Sequence, residues 1–123
     1  MVSIRNITRR LLPHLPYQDI ARAILGRKYD LSLVLCASTL SRRLSRERRG
    51  KDKPGNVISF PLGEASGEIF LDLALIKREA KEQGIECDDY TLFLFIHGCL
   101  HLAGMEHGAT MERREQNLVR RFG

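Results

Sequence analysis

Three histidines near the C-terminus have the spacing of a metal site. His97 and His101 are four residues apart, and His107 follows six residues later. Side chains at positions i and i+4 of a helix project from one face, about one turn apart, so both imidazoles can reach one ion. His107 cannot join them on a continued helix, because six residues advance the axis by about 9 Å. Gly104 lies between them and tolerates the left-handed conformation that would turn the chain.

This ligand set leaves one coordination position open. Three protein ligands with a fourth position for water or substrate are typical of catalytic rather than structural zinc sites. We therefore predict one divalent cation, with Zn²⁺ as the expected metal. Cys99 lies two residues from His97 and faces another side of the helix, so we expect it in the core. Metzincin proteases share the histidine spacing but have Glu after the first His. This chain has Gly98 there, so a zinc peptidase is disfavoured because its general base is missing.

The charge of the chain is divided unevenly. The net charge is +5, but residues 1–53 hold 13 basic and 4 acidic side chains, whereas residues 54–123 hold 7 and 11. A polybasic part indicates an acidic partner, of which nucleic acid is the commonest. Aromatic residues make up only 7% of the chain and Trp is absent, so platforms for base stacking are scarce, which favours recognition of backbone and shape over base-specific readout. The side chains predicted to contact nucleic-acid phosphates are Arg42, Arg43, Arg46, Arg48, Lys51 and Lys53.

Composition excludes several classes of protein. A hydrophobic fraction of 43% with 28% charged residues is ordinary for a globular protein and argues against disorder. No apolar run approaches the roughly 18 residues of a membrane span. The N-terminus lacks the apolar stretch of a signal peptide, and the three cysteines show no paired spacing, so we expect a cytoplasmic protein with reduced thiols. The length predicts one domain over residues 1–123.

The hydrophobic pattern predicts the elements that position the histidines. Strands are predicted at Val2–Ile7, Tyr29–Cys36, Val57–Phe60 and Gly67–Leu73. Helices are predicted at Tyr17–Leu25, Ser38–Arg49, Leu75–Gln83, Tyr90–Leu102 and Thr110–Arg121. In the second helix we expect Ser38 as the N-cap and Leu40 and Leu44 on the inward face. Strands concentrated early and helices late favour an α+β fold.

Two longer motifs resemble the signatures of the YbeY family. The segment 97–107, HGCLHLAGMEH, is similar to that family's H-G-x-L-H-L-x-G-[YF]-D-H. The segment 49–61, RGKDKPGNVISFP, resembles its R-G-K-D-x-P-T-[DN]-V-L-S-F-P. Shorter stretches at Gly67–Ile69 and Lys77–Gly84 resemble its G-D-I strand and K-R-E-A-x-E-x-G helix. Together these motifs extend the resemblance over most of the chain from about residue 30 onward.

The resemblance implies a single-strand-specific, metal-dependent endoribonuclease. Such enzymes act in maturation of ribosomal RNA, notably at the 3′ end of the small-subunit RNA, and in ribosome quality control. It implies a small mixed four-stranded sheet packed with about five helices, with the metal site at the end of a helix. It also implies that Arg49 lines the cleft, so we expect Arg49 and His97 to be catalytic. The expected partners are single-stranded or ribosomal RNA, the small ribosomal subunit and its assembly proteins, and no membrane.

The chain departs from the family pattern at several positions. Glu106 replaces Asp, Met105 replaces an aromatic residue, and Gly55 replaces Thr. Glu106 could orient a ligand histidine through a hydrogen bond, or it could be an exposed charge at a helix end. Three groups are candidates for the general base of the cleavage reaction: Glu106, a metal-bound hydroxide and the RNA 2′-hydroxyl. The alternative function is a non-catalytic, metal-containing assembly factor that docks on ribosomal RNA through its basic segment.

Overall fold

Four strands and five helices make up the structure, a computed structural model that describes residues 1–123. The strands are β1 (Val2–Asn6), β2 (Asp30–Cys36), β3 (Val57–Gly63) and β4 (Ser66–Asp72). The helices are α1 (Tyr17–Leu25), α2 (Ser38–Arg49), α3 (Leu73–Gln83), α4 (Cys87–Leu102) and α5 (Ala109–Phe122). The α+β class predicted from sequence is confirmed. None of the helices combines the length and apolar character of a membrane-spanning segment.

The sheet is mixed, with the strand order β1-β2-β4-β3. β2 pairs in parallel with both β1 and β4, whereas β3 runs antiparallel to β4. β3 continues past the predicted end at Phe60 and forms a tight hairpin with β4, with a register shift between Pro61 and Gly63. Pro61 is tolerated there because β3 is an edge strand, on which a missing N–H group need not break the ladder.

Helix α4 packs at the centre of the core and carries two of the histidines. Nine of its sixteen residues are buried, among them Phe95 and Ile96. Its close approach to β3 depends on Gly98, where a Cβ atom would lie 2.9 Å from Ser59 Oγ and 3.1 Å from Val57 Cγ2. The Ser59 hydroxyl donates a hydrogen bond to the Gly98 carbonyl, 3.1 Å away. Gly98 thus fixes the distance between the histidine-bearing turns and the sheet.

Helix α2 does not bury the face that the sequence predicted. Ser38 is its first helical residue rather than its N-cap, and Leu40 and Leu44 are only half-buried. The buried side chains are Ser41 and Ser45. An apolar stripe was therefore the wrong expectation, since the helix meets the protein through small polar groups.

A buried carboxylate explains this polar face. Asp72 accepts hydrogen bonds from the hydroxyls of Ser38 and Ser41, both at 2.7 Å, and from the Leu75 backbone amide at 3.1 Å. It is thus the N-cap of α3, which begins two residues earlier than predicted. One side chain joins β4, α3 and α2, and α2 ends beside the candidate site.

Candidate metal centre and its cleft

The three predicted metal ligands meet at one point. His97 and His101 lie on the last two turns of α4, and their Nε2 atoms are 3.0 Å apart. Gly104, with φ of +91°, turns the chain after α4. His107 then returns from the loop before α5, and its ring centre lies 5.1 Å from that of His97 and 4.6 Å from that of His101. One ligand nitrogen from each ring lies within 4.8 Å of the others.

The hydrogen bonds on the far side of two rings show that this cluster fits a cation. His97 Nδ1 lies 3.0 Å from Glu115 Oε2, and His101 Nδ1 lies 3.0 Å from the Met105 carbonyl oxygen. Both oxygens accept, so each Nδ1 carries a proton, and a ring without a second proton turns an Nε2 lone pair inward. Two lone pairs that face each other at 3.0 Å repel unless a positive charge lies between them.

The distances and the protonation state suit zinc. Tetrahedral Zn²⁺ at about 2.0–2.1 Å from each nitrogen places neighbouring nitrogens about 3.3–3.4 Å apart. The His97 and His101 Nε2 atoms, 3.0 Å apart, are slightly closer than that, and all three ligand nitrogens lie within 4.8 Å of one another. The pKa of His101 is lowered from its usual range, first by burial and then by the neighbouring His97, which outweigh the raising effect of the Met105 carbonyl. A neutral imidazole is the form that binds metal.

Glu115 is a site residue that the sequence analysis missed. It is buried on α5, on the same face as Met111 and Leu118. A carboxylate within the apolar stripe of a helix was the signal in the sequence that could have identified it. Glu106, which the sequence offered for this role, is exposed and makes no hydrogen bond to a histidine. The carboxylate that contacts a ligand ring is therefore on α5, not beside His107.

A cleft of about 720 Å³ opens beside the histidines, between β3, α4 and the end of α2. Arg49 lines it, exposed and engaged in no ion pair or hydrogen bond. Its Nη2 atom lies against Gly55, where a Cβ atom would overlap it. Because residue 55 has no side chain, the guanidinium can occupy this space and face the cleft that the histidines share.

The predicted RNA-contacting side chains divide into two groups. Arg48 lines the cleft, with its guanidinium carbon 4.8 Å from the centre of the Phe60 ring. Arg42 and Arg46 lie outside it and contact Asp52, with N–O distances of 3.0 and 3.4 Å. This pairing lowers the pKa of Asp52, chiefly through the hydrogen bond from Arg42. The remaining members are exposed and form no ion pair: Arg43, Lys51 and Lys53.

Comparison with known proteins assigns the family. The family model described as Endoribonuclease YbeY matches residues 4–123. The chain belongs to the YbeY family. A relative from Geobacter sulfurreducens, named Endoribonuclease YbeY, is 33% identical, over 90% of this chain and 79% of its own. Another YbeY relative of that name, from Neorickettsia sennetsu, is 33% identical over 79% of this chain and 76% of its own.

A solved structure shows the same fold. The solution structure of a Thermotoga maritima protein superimposes with a TM-score of 0.67, covering 98% of this chain and 87% of that one. At 22% sequence identity, the likeness concerns the fold alone. The mixed sheet and its surrounding helices therefore form an arrangement that a distant sequence also adopts.

Proposed function

We propose that this protein is a metal-dependent endoribonuclease that cleaves single-stranded RNA. The observation that carries the proposal is the convergence of three imidazoles on one point of a cleft that Arg48 and Arg49 also line. That arrangement combines a cation site with guanidinium groups that bind phosphate. The family supports the activity, since its matched relatives are named endoribonucleases.

The finer parts of the proposal rest on the family resemblance. We propose ribosomal RNA as the substrate, with maturation of the small-subunit 3′ end and ribosome quality control as the processes. The small ribosomal subunit and its assembly proteins are the proposed partners, and the cytoplasm is the proposed location. Residues 1–123 would act as one domain.

Each residue of the site has a distinct proposed task. The histidines would hold one divalent cation, with Zn²⁺ as the expected metal, and that ion would supply Lewis acidity toward the phosphodiester. Glu115 and the Met105 carbonyl would keep the Nε2 atoms of His97 and His101 available to the ion through their contacts with the Nδ1 atoms. Arg49 would bind non-bridging phosphate oxygens and stabilise the charge that builds on them during cleavage.

The basic residues outside the cleft would hold the RNA backbone. Arg43, Lys51 and Lys53 are exposed and unpaired, so they can exchange counterions for phosphates directly. Arg42 and Arg46 already share Asp52, and each phosphate contact they make would compete with that carboxylate. We therefore expect the unpaired residues to contribute more to binding, and affinity to fall steeply with salt.

A peptidase function is disfavoured by the packing of α4. In the related protease motif the general base follows the first histidine, and here that position is Gly98. A Cβ atom at Gly98 would already lie 2.9 Å from Ser59 Oγ. Strand β3 packs against the helix face from which that carboxylate would project.

Single substitutions test the nuclease proposal against the assembly-factor alternative. His97→Ala should abolish cleavage of a single-stranded RNA, and Arg49→Ala should lower kcat by about 10²–10³-fold, as loss of a charge-stabilising donor does. The matched controls are His14→Ala, in the exposed loop before α1, and Arg78→Ala, exposed on α3. Both controls should cleave normally.

Two results would reject catalysis at this site. One is cleavage by folded His97→Ala protein at the wild-type rate. The other is a wild-type protein that binds RNA without cutting it, together with normal ribosomal RNA processing in cells that carry only the His97→Ala protein. The second result would favour a non-catalytic assembly factor, in which a bound metal serves the structure.

A further inference from the structure

Phe93 is an exposed aromatic side chain on a helix whose neighbouring residues are buried. It is 39% exposed, whereas Leu92 and Leu94 are 3% and 4% exposed. It lies one turn before His97 on the same face of α4. The two ring centres are 6.0 Å apart, and the ring planes are tilted by only 33°. Exposed single apolar residues are common, so the inference depends on where this ring lies.

The other aromatic rings of the cleft are already engaged. Tyr90 is 9% exposed, and its hydroxyl lies 3.2 Å from Glu79 Oε1 and 3.3 Å from Asn56 Nδ2. One face of Phe60 is covered by the Arg48 guanidinium. Phe93 is therefore the ring of this cleft that is best placed to receive a planar group from solution.

A second groove begins on the other side of Phe93. It has a volume of about 370 Å³ and is lined by Phe93, Gln116, Val119 and Arg120. Phe93 is the one residue that lines both concavities. A strand with a phosphate at the histidines can pass over this ring into the groove between α4 and α5, where Arg120 offers a positive charge.

We propose that Phe93 stacks a base of the RNA beside the scissile phosphate, and that Arg120 contacts the backbone beyond it. This inference rests on the nuclease function proposed above and adds a binding subsite to it. A stacked base is tolerated whatever its sequence, because every base has a flat π face. The site would thus combine contacts to the backbone with one stacking contact, despite the low aromatic content of the chain.

The decisive experiment measures binding of short single-stranded RNAs that carry one abasic nucleotide at successive positions. Phe93→Ala should weaken binding of intact RNA by about 5- to 150-fold, the range for loss of one base–aromatic stack. It should have little further effect on RNA that is abasic at the stacked position, because the two changes remove the same contact. Phe93→Tyr keeps an aromatic ring at this position and should bind intact RNA like wild type.

Matched controls separate this subsite from general surface effects. Ile85→Ala removes an apolar side chain that is 40% exposed and lines neither concavity, and it should bind like wild type. Arg120→Ala should weaken binding to all sequences and reduce the salt slope by about one unit, whereas Arg78→Ala should do neither. The metal content of Phe93→Ala should equal that of wild type.

Several results would overturn the subsite, and they differ from failure of the nuclease proposal. If wild type cleaves RNA but Phe93→Ala binds intact RNA as tightly, Phe93 is not a stacking site. An equal loss on intact and abasic RNA would also refute stacking, and would point to an apolar contact with another ligand. If wild-type protein neither binds nor cleaves RNA, the nuclease proposal itself fails.

Discussion

Glu115→Ala tests whether a buried carboxylate on α5 sets the metal affinity of the histidine cluster. The Glu115 and His97 side chains are only 7% and 19% exposed, and the Oε2–Nδ1 distance is 3.0 Å. The alanine variant leaves the Nδ1–H group without this acceptor and frees the ring to rotate away from the ion. A hydrogen bond to a charged group contributes about 1.5–3 kcal/mol. We therefore expect the zinc Kd to rise by about 10- to 100-fold, the usual effect of losing such a partner.

Competition between the protein and a chromophoric chelator measures this Kd directly. Glu115→Gln should lose less affinity than the alanine variant, because its amide oxygen can still accept from Nδ1. Glu112→Ala, an exposed carboxylate on the same helix, should leave the Kd unchanged. An unchanged Kd in Glu115→Ala, with the fold intact by circular dichroism, would refute the reasoning. An equal loss in Glu112→Ala would show a general charge effect instead.

Four further predictions concern other parts of the structure. Asp72→Ala should lower the unfolding free energy by about 2–4 kcal/mol in urea titrations, because a helix cap and two hydroxyl partners are lost together. Burial raises the pKa of the Cys36 thiol to about 12, so an alkylating reagent at pH 8 should modify half-buried Cys87 first. The unfolding free energy should also fall above about pH 9, where only the unfolded chain ionises Cys36. Gly55→Thr introduces the residue of the family motif and should shift the flexible end of the Arg49 side chain while RNA cleavage is retained; a loss of cleavage would show that the guanidinium must lie against residue 55.

Local features of the site were predictable from the sequence. The i, i+4 spacing of His97 and His101 fixes their common face on α4, and Gly104 supplies the turn that returns His107. Both rules act within a few residues, so they need no knowledge of the rest of the fold. For the same reason, the sequence predicted the positions of the strands and helices well, and the predicted and observed bounds differ mainly at the ends of these elements. Helix α4, for example, begins at Cys87 and takes Asp88 and Asp89 into its first turn, where they complement the helix dipole.

Contacts between distant segments could not be read from local patterns. Glu115 is 18 residues from His97 in the sequence, and the two meet only because α5 folds back on α4. Likewise, Ser41 is buried because Asp72 lies 31 positions away at the end of β4. Helical periodicity favours leucines for an inward face, and it has no means of anticipating a buried carboxylate from another element.

Zinc titration of metal-free protein, followed by cleavage of single-stranded RNA, tests the central claim most directly. The three histidines form one site, so cleavage should rise with added zinc and stop rising at one equivalent per chain. A chelator should abolish the activity, and His97→Ala protein should show no zinc response. Cleavage by metal-free protein at the full rate, or a zinc response that survives in His97→Ala, would contradict the account.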